Sequence, residues 1–531
     1  MSASSVNRRR ILSLWLPRLP IDRLKRQSSR NSAALDDARP CAVVAKLNNA
    51  LVICALNDAA ASIGLEISQP LANARMVCPD LQVFDADEPA DAKLLSDIAD
   101  WCDRFTPLVA LDQPCGLLLD ISGCAHLFGG EAAMMQTVCV SLARQGFIAN
   151  AAIASTPVCA RVITRAVAGY IVADGEEANA VSALPVWTLG ADEVITRGLR
   201  RAGLKTIGDV ASRAPYEITA RFGAEFTSLL QQALGQSDAP ISPRKPLPDY
   251  MVEKRFAEPV STDTVIAAAL SSLAQTLIAA MDRAGKGARL LEASFFRTDG
   301  AVRSISVETG QVVTKADFID RLFSERLDAL ADPLDPGFGF DLIRLSASRT
   351  EIVVQEQRDF DTCAQDNDEL AALIDRIAAR IGGKRVVVHL PQDTHIPERA
   401  AIAAPAQYYL AAASHAAWPE RTEAEPPLRP LRLFERPEEI KVLFAEVPDG
   451  PPAKFLWRRA AHTVVRAEGP ERIAMEWWRT QNEMPTRDYF RVEDENGFRF
   501  WLYRNGLYGD DSGADGDKAI SPGWFMHGLF A

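Results

Sequence analysis

From Ile11 to about Tyr170 the chain alternates short apolar runs of strand type with longer stretches of helical spacing, which restricts this third of the molecule to a sheet covered by helices. "CAVVAKLNNALVICAL" (41–56) reads as two strands around a hairpin-type turn at Asn48-Asn49. "DAKLLSDIADWCDRF" (91–105) places apolar residues at helical spacing, and "GLLLDISG" (116–123) reads as a buried strand. A second helix is expected from near Gly130, and "FIANAAIAS" (147–155) is another strand candidate. An α+β domain follows.

With 531 residues the chain exceeds what one core can organise, and domains of roughly 100–200 residues make it multidomain. Residues 184–236 read as short helices punctuated by glycine. In "GLKTIGDV" (203–210), Gly203 and Gly208 flank a tight connection. Two readings stand for it: a helix-hairpin-helix unit whose backbone N–H groups hold a phosphate, or a plain helical turn. "SPRKPLP" (242–248) reads as a linker. Beyond it, "YMVEKRFAEP", "STDTVIAAALSSLAQTLIAAMDRAG", "ARLLEASFFRTDG", "AVRSISVETG", a helix around 315–330 and "FDLIRLSAS" give the order β-α-β-β-α-β, one compact domain. A polar connector (353–368), a helix (369–382) and a strand (384–391) follow. Six of the nine tryptophans lie from Trp418 onward, which sets the C-terminal region apart as aromatic-rich.

No uninterrupted apolar run approaches the roughly 20 residues that span a bilayer, so no membrane association is expected. Arg8-Arg9-Arg10 before an apolar stretch imitates a secretory signal, but Pro17, Arg18 and Pro20 break the run. The nine cysteines form no CxxC pair, which suits reduced thiols in a cytoplasmic protein. Six scattered histidines offer no ligand cluster, and no metal or other cofactor is expected. A net charge of −12 argues against coating nucleic acid by charge alone, so DNA binding is expected to be weak and local.

The stretches "CAVVAKLNNALVICALNDAAASIGLEISQPLANARMVCPDL" (41–81), "LLLDISGCAHLFGG" (117–130) and "GLKTIGDV" occur in one order with the β-α-β-β-α-β domain. In this the chain resembles the Y-family DNA polymerases, the DinB/UmuC superfamily, from about residue 10 to 350. The resemblance implies palm and fingers over 1–172 (fingers about 25–80), a thumb over 173–241 and a little finger over 242–350. A connector (351–400) and a C-terminal protein-interaction region (401–531) complete the chain.

Polymerisation needs carboxylates on neighbouring strands to hold two Mg²⁺ ions about 4 Å apart. Where the family has its first metal-binding Asp, "ILSLWLPRLP" supplies Trp15. For the Asp-Glu pair of a second strand the counterpart is "ALDQPCG" (110–116), which keeps Asp112 as a possible remnant and has Gln113 for Glu. The tyrosine and arginine that meet the triphosphate in the fingers are replaced by Asp58 and Ala61, and the lysine of a later palm motif is missing from "AAIASTPVCAR" (151–161). Asp22, Asp112 and Asp120 are the nearby acids left to an active enzyme. The expectation is a polymerase-shaped protein without catalytic residues, the alternative being an active error-prone lesion-bypass polymerase.

"LWLPRLPIDRL" at the start and "RPLRLFERPEEI", "GPERIAMEWWR", "RDYFRVEDENGFRFWLYRNGLY" and "WFMHGLFA" in the tail are similar to a non-catalytic branch of the family carried by bacterial mutasome cassettes. That likeness implies an adapter in damage-induced mutagenesis and translesion synthesis. Its implied partners are the sliding clamp (beta subunit), the RecA-like protein ImuA and an error-prone DnaE-type polymerase. Clamp contact uses an extended peptide with a glutamine anchor and an apolar tail. Gln357, Asp359 and Phe360 in "QRDFD" stand where that peptide is expected, without its leucine; a plain connector is the other reading, and "LRLF" (431–434) is a rival segment. Arg289, Arg297 and Arg303 are candidates for DNA phosphates, or solvated surface cations. Trp477, Trp478, Trp501 and Trp524 are candidates for partner binding, set against a role in a small core.

Overall fold

A computed structural model describes residues 9–30, 38–47, 49–353, 362–414, 416, 418, 429–445, 450–479, 485–506 and 523–530. The chain divides into two compact units, Met1–Asp359 and Phe360–Ala531.

The first unit is built on a five-stranded sheet in the spatial order Val109–Asp112, Gly116–Asp120, Ile11–Trp15, Asn150–Ala154, Tyr170–Ile171. Ile11–Trp15 is central and antiparallel to both neighbours, so both its faces are covered. Leu12 and Leu14 pack with Leu95, Trp101, Met134 and Val138 of the helices Glu88–Cys102 and Glu131–Arg144. Ile11 packs on the other side with Val158, Val162 and Ile163 of the helix Pro157–Ala166. Alternation along the strand therefore puts Trp15 on the face of that last helix. A separate three-stranded sheet in the order Ala50–Leu56, Cys41–Leu47, Gln82–Asp85 forms the fingers around Val44, Ile53 and Leu71.

Five short helices between Glu177 and Ala233 share one core with the palm helix Pro157–Ala166, through Leu199, Ile207, Phe226 and Leu230. The little finger is a four-stranded antiparallel sheet, Val302–Val313, Lys286–Arg297, Phe340–Ile352, Tyr250–Val260 in spatial order, with the helices Asp263–Asp282 and Ala316–Asp328. Its chain order is the expected β-α-β-β-α-β. The 20-residue helix Asp263–Asp282 is long and apolar enough to cross a membrane by length and composition, although polar residues interrupt its apolar run. In the structure it buries Ile266, Leu270, Leu273, Leu277 and Met281 as the layer over this sheet.

Salt links tie the little finger to the palm. Arg244 reaches Asp100 at 3.2 Å, and Lys245 reaches Asp100 at 2.9 Å and Asp103 at 3.2 Å. Arg104 pairs with Asp341 at 2.8 Å and lies over the Trp101 and Phe296 rings. Burial pushes the Asp103 carboxyl up to about 6, with Lys245 opposing.

The second unit holds a closed six-stranded barrel, Arg432–Ala445, Pro452–Trp457, Ala460–Ile473, Arg487–Asp494, Arg499–Asn505 and Trp524–Leu529. Beside it lie the helices Thr362–Ile381 and Ala406–Ser414 and the hairpin Val387–Pro391/Ala401–Pro405. Closure pairs both edges of the sheet and leaves none open for association. The strand Arg499–Asn505 is buried on both faces. Phe500 and Leu502 point into the barrel with Phe455, Phe490 and Met526, whereas Trp501 and Tyr503 pack outside it with Tyr489, Ile473 and Ile396. Sequence reading sets this region apart as aromatic-rich but does not anticipate the barrel.

Candidate functional site

Trp15 ends the central strand Ile11–Trp15. The register pairs Trp15 with Gly116, and Leu16 N–H donates to the Cys115 carbonyl at 2.8 Å. The backbone position opposite Trp15 thus has no side chain, and its predecessor is Cys115, whose thiol burial raises while Trp15 acts in the opposite sense. Gln113 directly follows Asp112 in the turn between the strands Val109–Asp112 and Gly116–Asp120. Asp112 ends the neighbouring strand Val109–Asp112, and the turn from 113 to 115 carries Gln113 off the strand that faces Trp15.

Asp112 is not free to take a cation. Arg161 Nη1 lies 3.3 Å from Asp112 Oδ1 and Arg165 Nη2 3.7 Å from Oδ2, both from the helix Pro157–Ala166. One carboxylate faces two guanidinium groups, so the local field favours anions over Mg²⁺. Burial and the neighbouring Arg161 lower the Arg165 guanidinium from its ordinary value, while Asp112 acts in the opposite sense. Arg161 also donates to the Leu189 carbonyl at 3.4 Å. A Cβ on Gly190 would lie 2.4 Å from Arg165 Nη1, so that glycine keeps space for the cation. Neither arginine was singled out from the sequence; their spacing of four residues on one helix face opposite Asp112 is the signal that could have found them.

The other two acids are also committed. Asp22 is buried and accepts from the Ile148 amide at 3.2 Å, and Asp120 accepts from the Ser122 amide at 2.9 Å with Arg9 3.7 Å away. In the fingers, Asp58 opens the helix Asp58–Ser62 and pairs with the buried Arg18, while Ala61 is exposed on the same helix. Among the described residues no three His, Cys, Asp or Glu side chains converge as metal ligands.

The remaining candidates separate. Arg289 pairs with Glu351 at 3.0 Å, Arg297 with Asp299 at 2.6 Å and Asp335 at 2.8 Å, and Arg303 with Asp332. Each is already neutralised within the little finger. In the thumb, the Lys205 and Thr206 amides donate to Asp209, the Asp209 amide to Thr206 and the Ile207 amide to Leu184, so the backbone phosphate nest read from "GLKTIGDV" is occupied by the chain itself. Gly203, at φ +80°, makes the turn; Gly208 lets two helices approach, since a Cβ there would meet the Ser182 carbonyl at 2.9 Å.

Of the four tryptophans, Trp477 and Trp478 are 81% and 60% exposed and touch edge to face at 5.8 Å. Trp501 and Trp524 are buried, which corrects their placement as partner anchors: they lie on two different barrel strands, each packed into one of the two cores. Gln357, Asp359 and Phe360 lie outside the described residues. The rival segment "LRLF" enters the first barrel strand, with Leu433 and Phe434 packed and Leu431 exposed.

Residues 27–165 match the impB/mucB/samB family, and 248–362 match the impB/mucB/samB family C-terminal domain. Palm, fingers and little finger in this order define a Y-family polymerase-like protein. DNA polymerase IV of Shewanella woodyi is 25% identical over 257 residues, covering 47% of this chain and 70% of that one. DinB from Sulfolobus solfataricus, a solved structure, aligns with a TM-score of 0.37 and 12% identity, over 65% of this chain and 100% of its own. Protein ImuB of Caulobacter vibrioides (strain NA1000 / CB15N) is 37% identical over 478 residues, which cover 88% of this chain and 100% of that protein. The chain belongs to the ImuB family.

Proposed function

We propose that this protein is a non-catalytic adapter in damage-induced mutagenesis, a polymerase fold that holds other proteins at damaged DNA instead of copying it. The observation that carries this reading is Asp112 clamped by Arg161 and Arg165, beside a strand pair that presents Trp15 and Gly116. Two cations occupy the surroundings of the one remaining acid, and a third, Arg18, is tied to Asp58. Primer extension by the full chain with Mg²⁺ or Mn²⁺ tests it: no template-directed incorporation is expected. Incorporation that Asp112→Ala abolishes would overturn the reading and restore the error-prone polymerase.

The partners are proposed on family grounds: the sliding clamp, ImuA and a DnaE-type polymerase, with weak salt-dependent binding to DNA. The exposed pair Trp477-Trp478 is the best-formed anchor for a protein partner, because two large aromatic rings in solvent gain most from burial at an interface. For the clamp, the segment around Gln357 and Phe360 is the proposed contact. Replacing both by alanine is expected to reduce clamp retention at least about ten-fold, the loss of one anchor in a peptide groove. Retention equal to the unaltered chain, measured by surface plasmon resonance on immobilised clamp, would move the contact elsewhere.

A further inference from the structure

The thumb carries a surface depression of about 480 Å³ lined by Pro185, Trp187, Arg200, Lys205 and Thr206. Its construction is rigid. The Val186 amide donates to the Lys205 carbonyl at 3.0 Å and the Ile207 amide to the Leu184 carbonyl at 2.9 Å, so the 184–186 segment is stitched to the 205–207 segment. Val186, Thr188 and Leu189 around the indole are all buried, which fixes the backbone that presents it. Trp187 itself remains 44% exposed. The left-handed turn at Gly203 reverses the chain and brings Arg200, from the end of one helix, beside Lys205 at the start of the next segment. Both cations are exposed, and neither has a carboxylate partner among the described residues. Asp209 spends its carboxylate on the Lys205 and Thr206 amides.

A fixed, half-exposed indole sharing one depression with two cations matches the chemistry of a single-stranded nucleotide: a flat base to stack and phosphates next to it. Duplex DNA offers the cations its phosphates but keeps its base faces stacked. We propose that this thumb depression binds one unpaired base of single-stranded DNA, Trp187 stacking on the base while Arg200 and Lys205 engage its flanking phosphates. This rests on the DNA-binding part of the function proposed above, and specifies the form of DNA and the residues.

The test compares the full-length protein with labelled oligothymidylate, with an abasic strand of the same length and with a duplex, by fluorescence anisotropy over a salt series. Oligothymidylate is expected to bind about ten-fold more tightly than the abasic strand, the scale of one stacked base. Trp187→Ala should erase that difference and leave duplex binding unchanged, and Trp187→Phe should keep most of it. Arg200→Ala with Lys205→Ala should reduce the slope of log affinity against log salt by about 1.4, two single-strand phosphates. A base preference that survives Trp187→Ala, or no base preference in the unaltered protein, overturns this inference and leaves weak DNA binding standing. Failure of the unaltered protein to bind any of the three at low salt overturns the DNA-binding reading itself.

Discussion

Trp501→Ala is expected to cost the barrel-bearing unit about 3–5 kcal/mol, the range for deleting a large buried aromatic. The indole is 1% exposed, stacks on Tyr489 at 4.1 Å between centroids and lies parallel to the His527 ring at 5.5 Å. It sits between the barrel wall and Ile396, so its removal opens a void that neither rigid side can fill. Trp477→Ala and Trp478→Ala together should change stability by about 0.5 kcal/mol or less, as surface substitutions do, while weakening capture of a partner protein. Urea unfolding followed by circular dichroism checks the first pair of values. Equal losses from the buried and the exposed tryptophans would contradict the two-core description of the barrel.

Asp488→Ala should be comparably damaging. Arg504 is fully buried and donates to Asp488 Oδ2 at 2.8 Å, and Arg472 holds the same carboxylate through bonds of 2.7 and 3.0 Å. Removing the acid takes the carboxylate away from a buried guanidinium in the barrel wall, at a cost of about 3–5 kcal/mol. The double change Asp488→Leu with Arg504→Met removes both charges and should recover much of that loss, since a buried pair and apolar residues of similar volume are often equivalent. The same pair sets a pH dependence. Burial would raise the Asp488 carboxyl, but Arg472 and Arg504 outweigh it and hold the group below the ordinary aspartate range. Its contribution is therefore complete above the unfolded value near pH ~4, and is lost as pH falls through the folded one. The unaltered protein should show a steeper loss of stability between about pH 4 and pH 2 than the double variant, the window that a depressed aspartate sets. Parallel curves for the two proteins would remove Asp488 as the source.

Trp15 was legible as a misfit because a strand that should end in an acid ends in an indole, and pattern alone locates the strand. Asp112 was legible as a residue but not as a state. Its two arginines lie 49 and 53 positions further along the chain, and only the packing of their helix on the sheet brings them to it. That Gln113 falls in the turn, off both strands, was not legible either, since register across a sheet depends on the turn between strands. The four tail tryptophans looked alike in sequence. Trp501 and Trp524 are buried because they lie on two barrel strands, one against each core, whereas Trp477 and Trp478 lie in a turn outside the strands.

By itself, the sequence determined the element types, the chain order of palm, thumb and little finger, and the absence of any acid from the opening strand Ile11–Trp15, all of which depend on local spacing and residue chemistry. Tertiary structure alone decided which charges are spent on one another, which aromatics meet solvent, and that the tail closes into a barrel. Those outcomes depend on contacts between residues far apart in the chain, whose pairing is set by the minimum of buried unpaired charge and exposed apolar surface over the whole fold.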